Sequence, residues 1–89
     1  METHFAVYVL YSDNFDKIYI GYTSNLIQRI YYHNNGHKGY TKNFRPWKVI
    51  HVEIFLSKTL AIKREKMLKG SKGRMWIKIF LAALTGCPL

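Results

Sequence analysis

The sequence predicts a small α/β sandwich of the α+β kind. A three-stranded, largely antiparallel sheet is flanked by helices, in the order ββαβαα. Three observations carry this expectation. Short runs rich in aromatic and β-branched residues alternate with longer stretches whose apolar residues recur every three to four positions. Turn-forming residues separate the two kinds of segment. The length of 89 residues suits one compact domain, with residues 1–89 forming a single unit.

Residues 5–11 (FAVYVLY) read as a first strand. Ser12, Asp13, Asn14, Phe15 and Asp16 supply turn chemistry, and residues 17–22 (KIYIGY) form a second strand, so the two make a hairpin. Thr23, Ser24 and Asn25 are helix N-cap residues, with Gln28 three positions after Asn25. Leu26, Ile27, Ile30 and Tyr31 follow at helical spacing, so a first helix covers about residues 25–34. Asn34, Asn35 and Gly36 end it. Residues 37–47 form a polar, basic loop, and residues 49–55 (VIHVEIF) a third strand. Ser57 or Thr59 caps a second helix, which Gly70 and Gly73 break. A third helix covers about residues 74–84, with Trp76, Ile77, Phe80, Leu81 and Leu84 as its apolar side, and Gly86 and Pro88 stop it.

Charge is the first functional clue. Fourteen Lys and Arg oppose five Asp and Glu, a formal net charge of +9, which attracts polyanions. Nucleic acid is the commonest such partner; an anionic membrane surface is the alternative. A hydrophobic content of 48% is too high for a disordered chain. The single cysteine, Cys87, allows no internal disulfide and fits a reducing compartment. No stretch approaches transmembrane length, and the N-terminus lacks a signal-peptide pattern. A cytoplasmic protein without a membrane partner is expected.

Several residues can carry chemistry. Tyr8 and Tyr19 lie on the two strands of the hairpin. Pairing them directly puts the turn centre between Asp13 and Asn14 and sets both phenols on one sheet face, although on spacing alone two ordinary sheet tyrosines are the better reading. Gly21 sits inside a strand, where glycine often marks close approach of a ligand or another backbone. Arg29 and His33 are four apart and share a helix face. A guanidinium there can grip phosphate through two parallel hydrogen bonds, and an imidazole can carry a proton near neutral pH. Glu65 is the lone acid between Lys58 and Lys78, among eight basic residues. A carboxylate so placed suits a hydrated divalent cation bridging to substrate phosphate; a helix salt bridge to Lys69 is the alternative. His51 and Glu53 alternate on strand three and read as structural, since two ligands make a poor metal site. Lys69, Gly70, Ser71, Lys72 and Gly73 do not match a phosphate loop and read instead as a basic turn against a nucleic-acid backbone.

These residues together resemble the GIY-YIG nuclease superfamily. Ala6-Val7-Tyr8, then Tyr19-Ile20-Gly21, then Arg29, His33 and Arg64-Glu65-Lys66 carry the resemblance, which covers roughly residues 5–80. The chain looks most like short stand-alone bacterial members related to the N-terminal endonuclease domain of the UvrC excinuclease subunit. The second half-motif is intact, whereas Ala6-Val7 replaces Gly-Ile in the first. Residues 41–47, ending in Arg45-Pro46-Trp47, look like the family's Arg-Pro-Trp loop.

The resemblance implies a divalent-metal-dependent endonuclease acting on DNA. Tyr8 or Tyr19 would activate or orient the attacking water. Arg29 would stabilise the pentacovalent phosphate, and His33 would sit near the scissile phosphate. Glu65 would hold one Mg²⁺ or Mn²⁺ ion. Gly21, Lys69, Lys72 and Arg74 are the expected nucleic-acid contacts, and no nucleotide cofactor is expected. Some members carry an asparagine about twelve residues after the glutamate; here that position is Ile77. The alternative is a non-catalytic module that grips structured or damaged nucleic acid with the same fold.

Overall fold

The computed structural model of the protein describes residues 4–86. Three strands, β1 (Phe5–Ser12), β2 (Lys17–Thr23) and β3 (Lys48–Phe55), form one antiparallel sheet in the order β2-β1-β3. Three helices complete the ββαβαα order: α1 (Leu26–Asn35), α2 (Lys58–Lys69) and α3 (Ser71–Thr85). The expected α+β architecture is the one observed.

The central strand β1 is buried from Ala6 to Leu10, so its alternating side chains seed two cores. Val7 and Val9 pack with Ile20, Ala61, Leu68 and Ile77 beneath α2 and α3. Tyr8 and Leu10 pack with Trp47 on the opposite face, flanked by Tyr19, Leu26, Ile30 and Phe44. Strands β2 and β3 are the edges of the sheet among the described residues, and the rim of β2 carries the site described below.

The hairpin register differs from the expected one by two residues. Tyr8 pairs with Gly21, Leu10 with Tyr19 and Ser12 with Lys17. The cause is the turn. It takes four residues, and its last, Asp16, adopts a left-handed φ of 52° and accepts a 2.8 Å hydrogen bond from the Tyr11 hydroxyl. A two-residue shift preserves the face of every side chain, so Tyr8 and Tyr19 still share one.

Helix α1 starts where expected, with Asn25 Oδ1 accepting from the Gln28 N–H at 3.1 Å. Ser57 caps α2, accepting from the Leu60 N–H. The expected break at Gly70 and Gly73 is only half present: Gly70 separates the helices, but Gly73 lies inside α3, which begins at Ser71. The helices turn tightly on each other there. A Cβ on Gly73 would collide with the backbone of Met67 and Leu68, so glycine serves close packing and not helix termination. Gly86, at φ 72°, ends α3. Of the expected apolar side of α3, Ile77 is fully buried, whereas Trp76 and Leu84 are exposed. Cys87 and Pro88 lie outside the described residues.

The loop after α1 holds a 3-10 helix (Tyr40–Phe44) not visible in the sequence pattern. Arg45 binds it to the end of α1: its Nη1 donates to Asn34 O and its Nη2 to Gly36 O, both at 2.9 Å, and Nε donates to Lys42 O at 3.0 Å. Trp47 exchanges two hydrogen bonds with the Asn34 side chain and donates its indole N–H to Thr41 O at 2.8 Å. Across the sheet, Glu53 accepts two hydrogen bonds from Arg64 and one contact at 2.8 Å from His51. The Arg64 guanidinium beside Glu53 holds that carboxyl below its usual range. His51 and Glu53 thus tie β3 to α2, the structural role their spacing indicates. Among the described residues no helix is long and apolar enough to cross a membrane.

Candidate active site

The site forms because β1 and β2 place a glycine opposite a tyrosine. Gly21 faces Tyr8, and Tyr19 is the diagonal neighbour on the same side, with ring centroids 6.3 Å apart. A Cβ at Gly21 would lie 2.6 Å from Tyr8 Oη and 2.8 Å from its Cζ. Glycine therefore makes room for the phenol. Gly21→Ala is expected to displace Tyr8 or the β2 edge and to cost about 1–3 kcal/mol, the usual range for overpacking, measured by denaturant unfolding.

Behind Tyr8 stands a buried relay. Tyr8 Oη is 2.8 Å from His33 Nε2, and His33 Nδ1 is 2.9 Å from Thr41 Oγ1. The His33 ring also packs 4.7 Å from that of Tyr19. Helix α1 carries His33 in its last turn, and the Arg45 and Trp47 contacts hold that turn and Thr41 in place. Burial, reinforced by the neighbouring Tyr19, raises the pKa of Tyr8 far above the ordinary phenol value, so Tyr8 remains protonated at neutral pH. Burial, and then the charge of Arg29, lower that of His33 and keep it neutral. A neutral imidazole has one donor and one acceptor, so Tyr8 and Thr41 meet it in opposite roles.

The lowered pKa of His33 has a consequence for stability. The unfolded chain binds this proton more readily than the folded one, so the neutral ring contributes stability in full above the unfolded pKa of about 6.5. That contribution is lost as pH falls through the lower folded value. His33→Gln is expected to flatten this part of the curve of unfolding free energy against pH, measured by denaturant titration from neutral to mildly acidic solution.

An open cleft of about 390 Å³ lies at the β2 rim. Its wall takes Tyr8, Tyr19 and Gly21 from the sheet, Arg29 from α1, and Lys58 and Glu65 from α2. The Glu65 side chain is 15% exposed, and its Oε1 lies 3.2 Å from Lys69 Nζ. Glu65 thus makes the helix ion pair and also faces the cleft. Among the described residues no helix has an acid in its first turn, so the positive end of α1, next to Thr23 and Ser24 in the wall, meets no acid of its own helix.

Of the residues singled out from the sequence, Tyr8, Tyr19, Gly21, Arg29 and Glu65 meet in this one cleft, and His33 stands one hydrogen bond behind it. Lys69 and Arg74 line an adjacent cavity, whereas Lys72 lies apart, in a depression with Arg64, Met67 and Trp76. Ile77, where the resemblance implies an asparagine in some members, is a core residue. Among the described residues no three His, Cys, Asp or Glu cluster as a ready metal site. Lys58 and Thr41 were missed. Lys58 carries one signal: a cation at the first position of a helix opposes the helix dipole, an arrangement that favours an anionic ligand. Thr41 has no such signal, because its role depends on the fold of the loop.

Residues 4–78 match the GIY-YIG catalytic domain. A UPF0213 protein of Staphylococcus haemolyticus is 42% identical over 81 residues, covering 89% of this chain and 95% of the relative. A UPF0213 protein of Staphylococcus saprophyticus is 37% identical with the same coverage. One from Syntrophus aciditrophicus is 40% identical, covering 70% of this chain and 75% of the relative. With its motif tyrosines, arginine and glutamate gathered at one rim, the chain belongs to the GIY-YIG family, whose catalytic domain is of nuclease type and takes nucleic acid as its substrate.

Proposed function

We propose that the cleft at the β2 rim hydrolyses a phosphodiester of DNA with the help of one divalent ion. One observation carries this reading: Tyr8, Tyr19, Arg29 and Glu65, from four separate elements, converge on a single open cleft in a protein of net charge +9. The donor set fits a hard, largely hydrated ion. Mg²⁺ and Mn²⁺ sites of this kind use one or two carboxylates, several waters and substrate phosphate, and Glu65 with an open cleft supplies the protein's share. Such an ion, when bound, acts as a Lewis acid on the phosphate and its leaving oxygen.

The chain's own residues do the rest. Arg29 donates N–H groups to the non-bridging phosphate oxygens as negative charge builds on them. Tyr8 is buried, protonated and bonded to His33, which makes it a fixed hydroxyl and not a phenolate. Tyr19 is only partly buried and lines the cleft, so it orients the attacking water. Lys58 and the open end of α1 attract the phosphate. A single cysteine suits a reducing compartment, and the reading takes the activity to be cytoplasmic nucleic-acid processing, with DNA repair as its setting.

A second reading, a binding module without turnover, is favoured by the packing of Ile77 into the core, the position at which the family resemblance implies an asparagine in some members. Plasmid and branched-DNA nicking with Mg²⁺ or Mn²⁺, against EDTA, separates the two. Metal-dependent nicking is expected. Tight, salt-sensitive binding with no nicking on any substrate would select the binding module.

A further inference from the structure

We propose that the cavity next to the cleft is a second polynucleotide subsite, holding the backbone of the strand beyond the bond to be cut. The inference rests on the cleft being a nucleic-acid site. The cavity measures about 450 Å³ and draws its cations from three elements: Lys17 from β2, Lys69 from α2, and Arg74 and Lys78 from α3. One acid, Asp16, shares the wall and already accepts the Tyr11 hydroxyl. Asp16, and Glu65 through its contact with Lys69, answer part of this charge, and a phosphate backbone would answer the remainder.

Two contacts make the cavity continuous with the cleft. Tyr19 lines both. Lys69 lines the cavity and reaches Glu65, which lines the cleft. Strand β2 is an edge strand, so among the described residues no further strand covers the route between them. Arg74 is braced by its Nε, which donates to Lys69 O at 3.0 Å and holds the guanidinium at the wall. Tyr40, from the 3-10 helix, adds an aromatic face that is 53% exposed and packs 4.8 Å from the Phe44 ring. Cations interleaved with a supported aromatic ring are the composition that follows a polynucleotide strand, the cations taking phosphates and the ring taking a sugar or base. A single small anion would have no use for Tyr40.

The test compares two double variants with equal loss of charge. Lys17→Ala/Lys78→Ala removes cations from the cavity; Lys63→Ala/Lys66→Ala removes exposed cations of α2 outside it. Each is placed in a Glu65→Gln background and titrated in EDTA with labelled DNA and RNA oligonucleotides of about 4 to about 20 nucleotides. The cavity variant is expected to bind the longest oligonucleotides about tenfold more weakly at moderate salt, with the log–log salt slope reduced by about two. The shortest oligonucleotides should bind both variants alike. Equal behaviour of the two variants at every length overturns the proposal, because only bulk charge then matters. Equal weakening of short and long oligonucleotides by the cavity variant also overturns it, because Lys17 and Lys78 then belong to the cleft itself. The nuclease reading fails separately: a length-dependent difference without nicking by wild type keeps the subsite and removes the hydrolysis, and nicking without a length-dependent difference does the reverse.

Discussion

Glu65→Gln is expected to lower metal-dependent cleavage by orders of magnitude while leaving metal-free binding unchanged or tighter. The substitution keeps the shape of the side chain and removes the charge that would hold a divalent ion. It also lifts the repulsion between a carboxylate and incoming phosphate, which is why binding in EDTA should not suffer. The loss of the Glu65 to Lys69 pair accounts for little, because Lys69 is half exposed and such helix pairs contribute about 0.3–0.5 kcal/mol. A large loss of activity with a small loss of stability is therefore the signature of a metal role. The measurement is plasmid nicking by both proteins across a Mg²⁺ and Mn²⁺ titration, with unfolding followed in parallel. Equal nicking by the two proteins would remove Glu65 from the chemistry and leave it as a salt-bridge partner.

Arg29→Ala is expected to reduce cleavage by at least about a hundredfold with most nucleic-acid affinity retained, the pattern for a group that acts on developing charge. Arg29→Lys should restore little, since a point charge cannot reproduce two parallel N–H donors. A second readout tests the placement of Arg29 directly. Its charge is one cause of the lowered His33 pKa, after burial, so its removal should shift the His33 titration upward, as followed by NMR of the ring protons. An alanine variant with full activity and an unmoved His33 would place Arg29 outside the site.

Much of this fold was legible because the pattern of the sequence is local. The strands announce themselves through β-branched and aromatic runs, and Asn25 and Ser57 act as the caps their chemistry predicts. The shared face of Tyr8 and Tyr19 survived a wrong register because side chains on a strand alternate with period two. The register itself was not legible. It depends on a four-residue turn closed by Asp16 in a left-handed conformation, which the residue types permit but do not require. The start of α3 was missed for a similar reason: Gly73 looks like a helix breaker in sequence and is a packing residue in space.

For the site, the sequence by itself determined which residue types were available: two strand tyrosines, a helical Arg and His four apart, and one acid in a basic stretch. Only the tertiary structure decided that Tyr8 and Glu65, far apart in the chain, face one cleft, and that His33 backs Tyr8 through a hydrogen bond while Thr41 backs His33. It also separated Lys69 and Arg74 from Lys72, three cations grouped in the sequence as expected nucleic-acid contacts. The physical reason is that pattern reports the face of an element, which follows from backbone periodicity. The meeting of faces from different elements is set by how the two cores pack around β1, and no local signal records it.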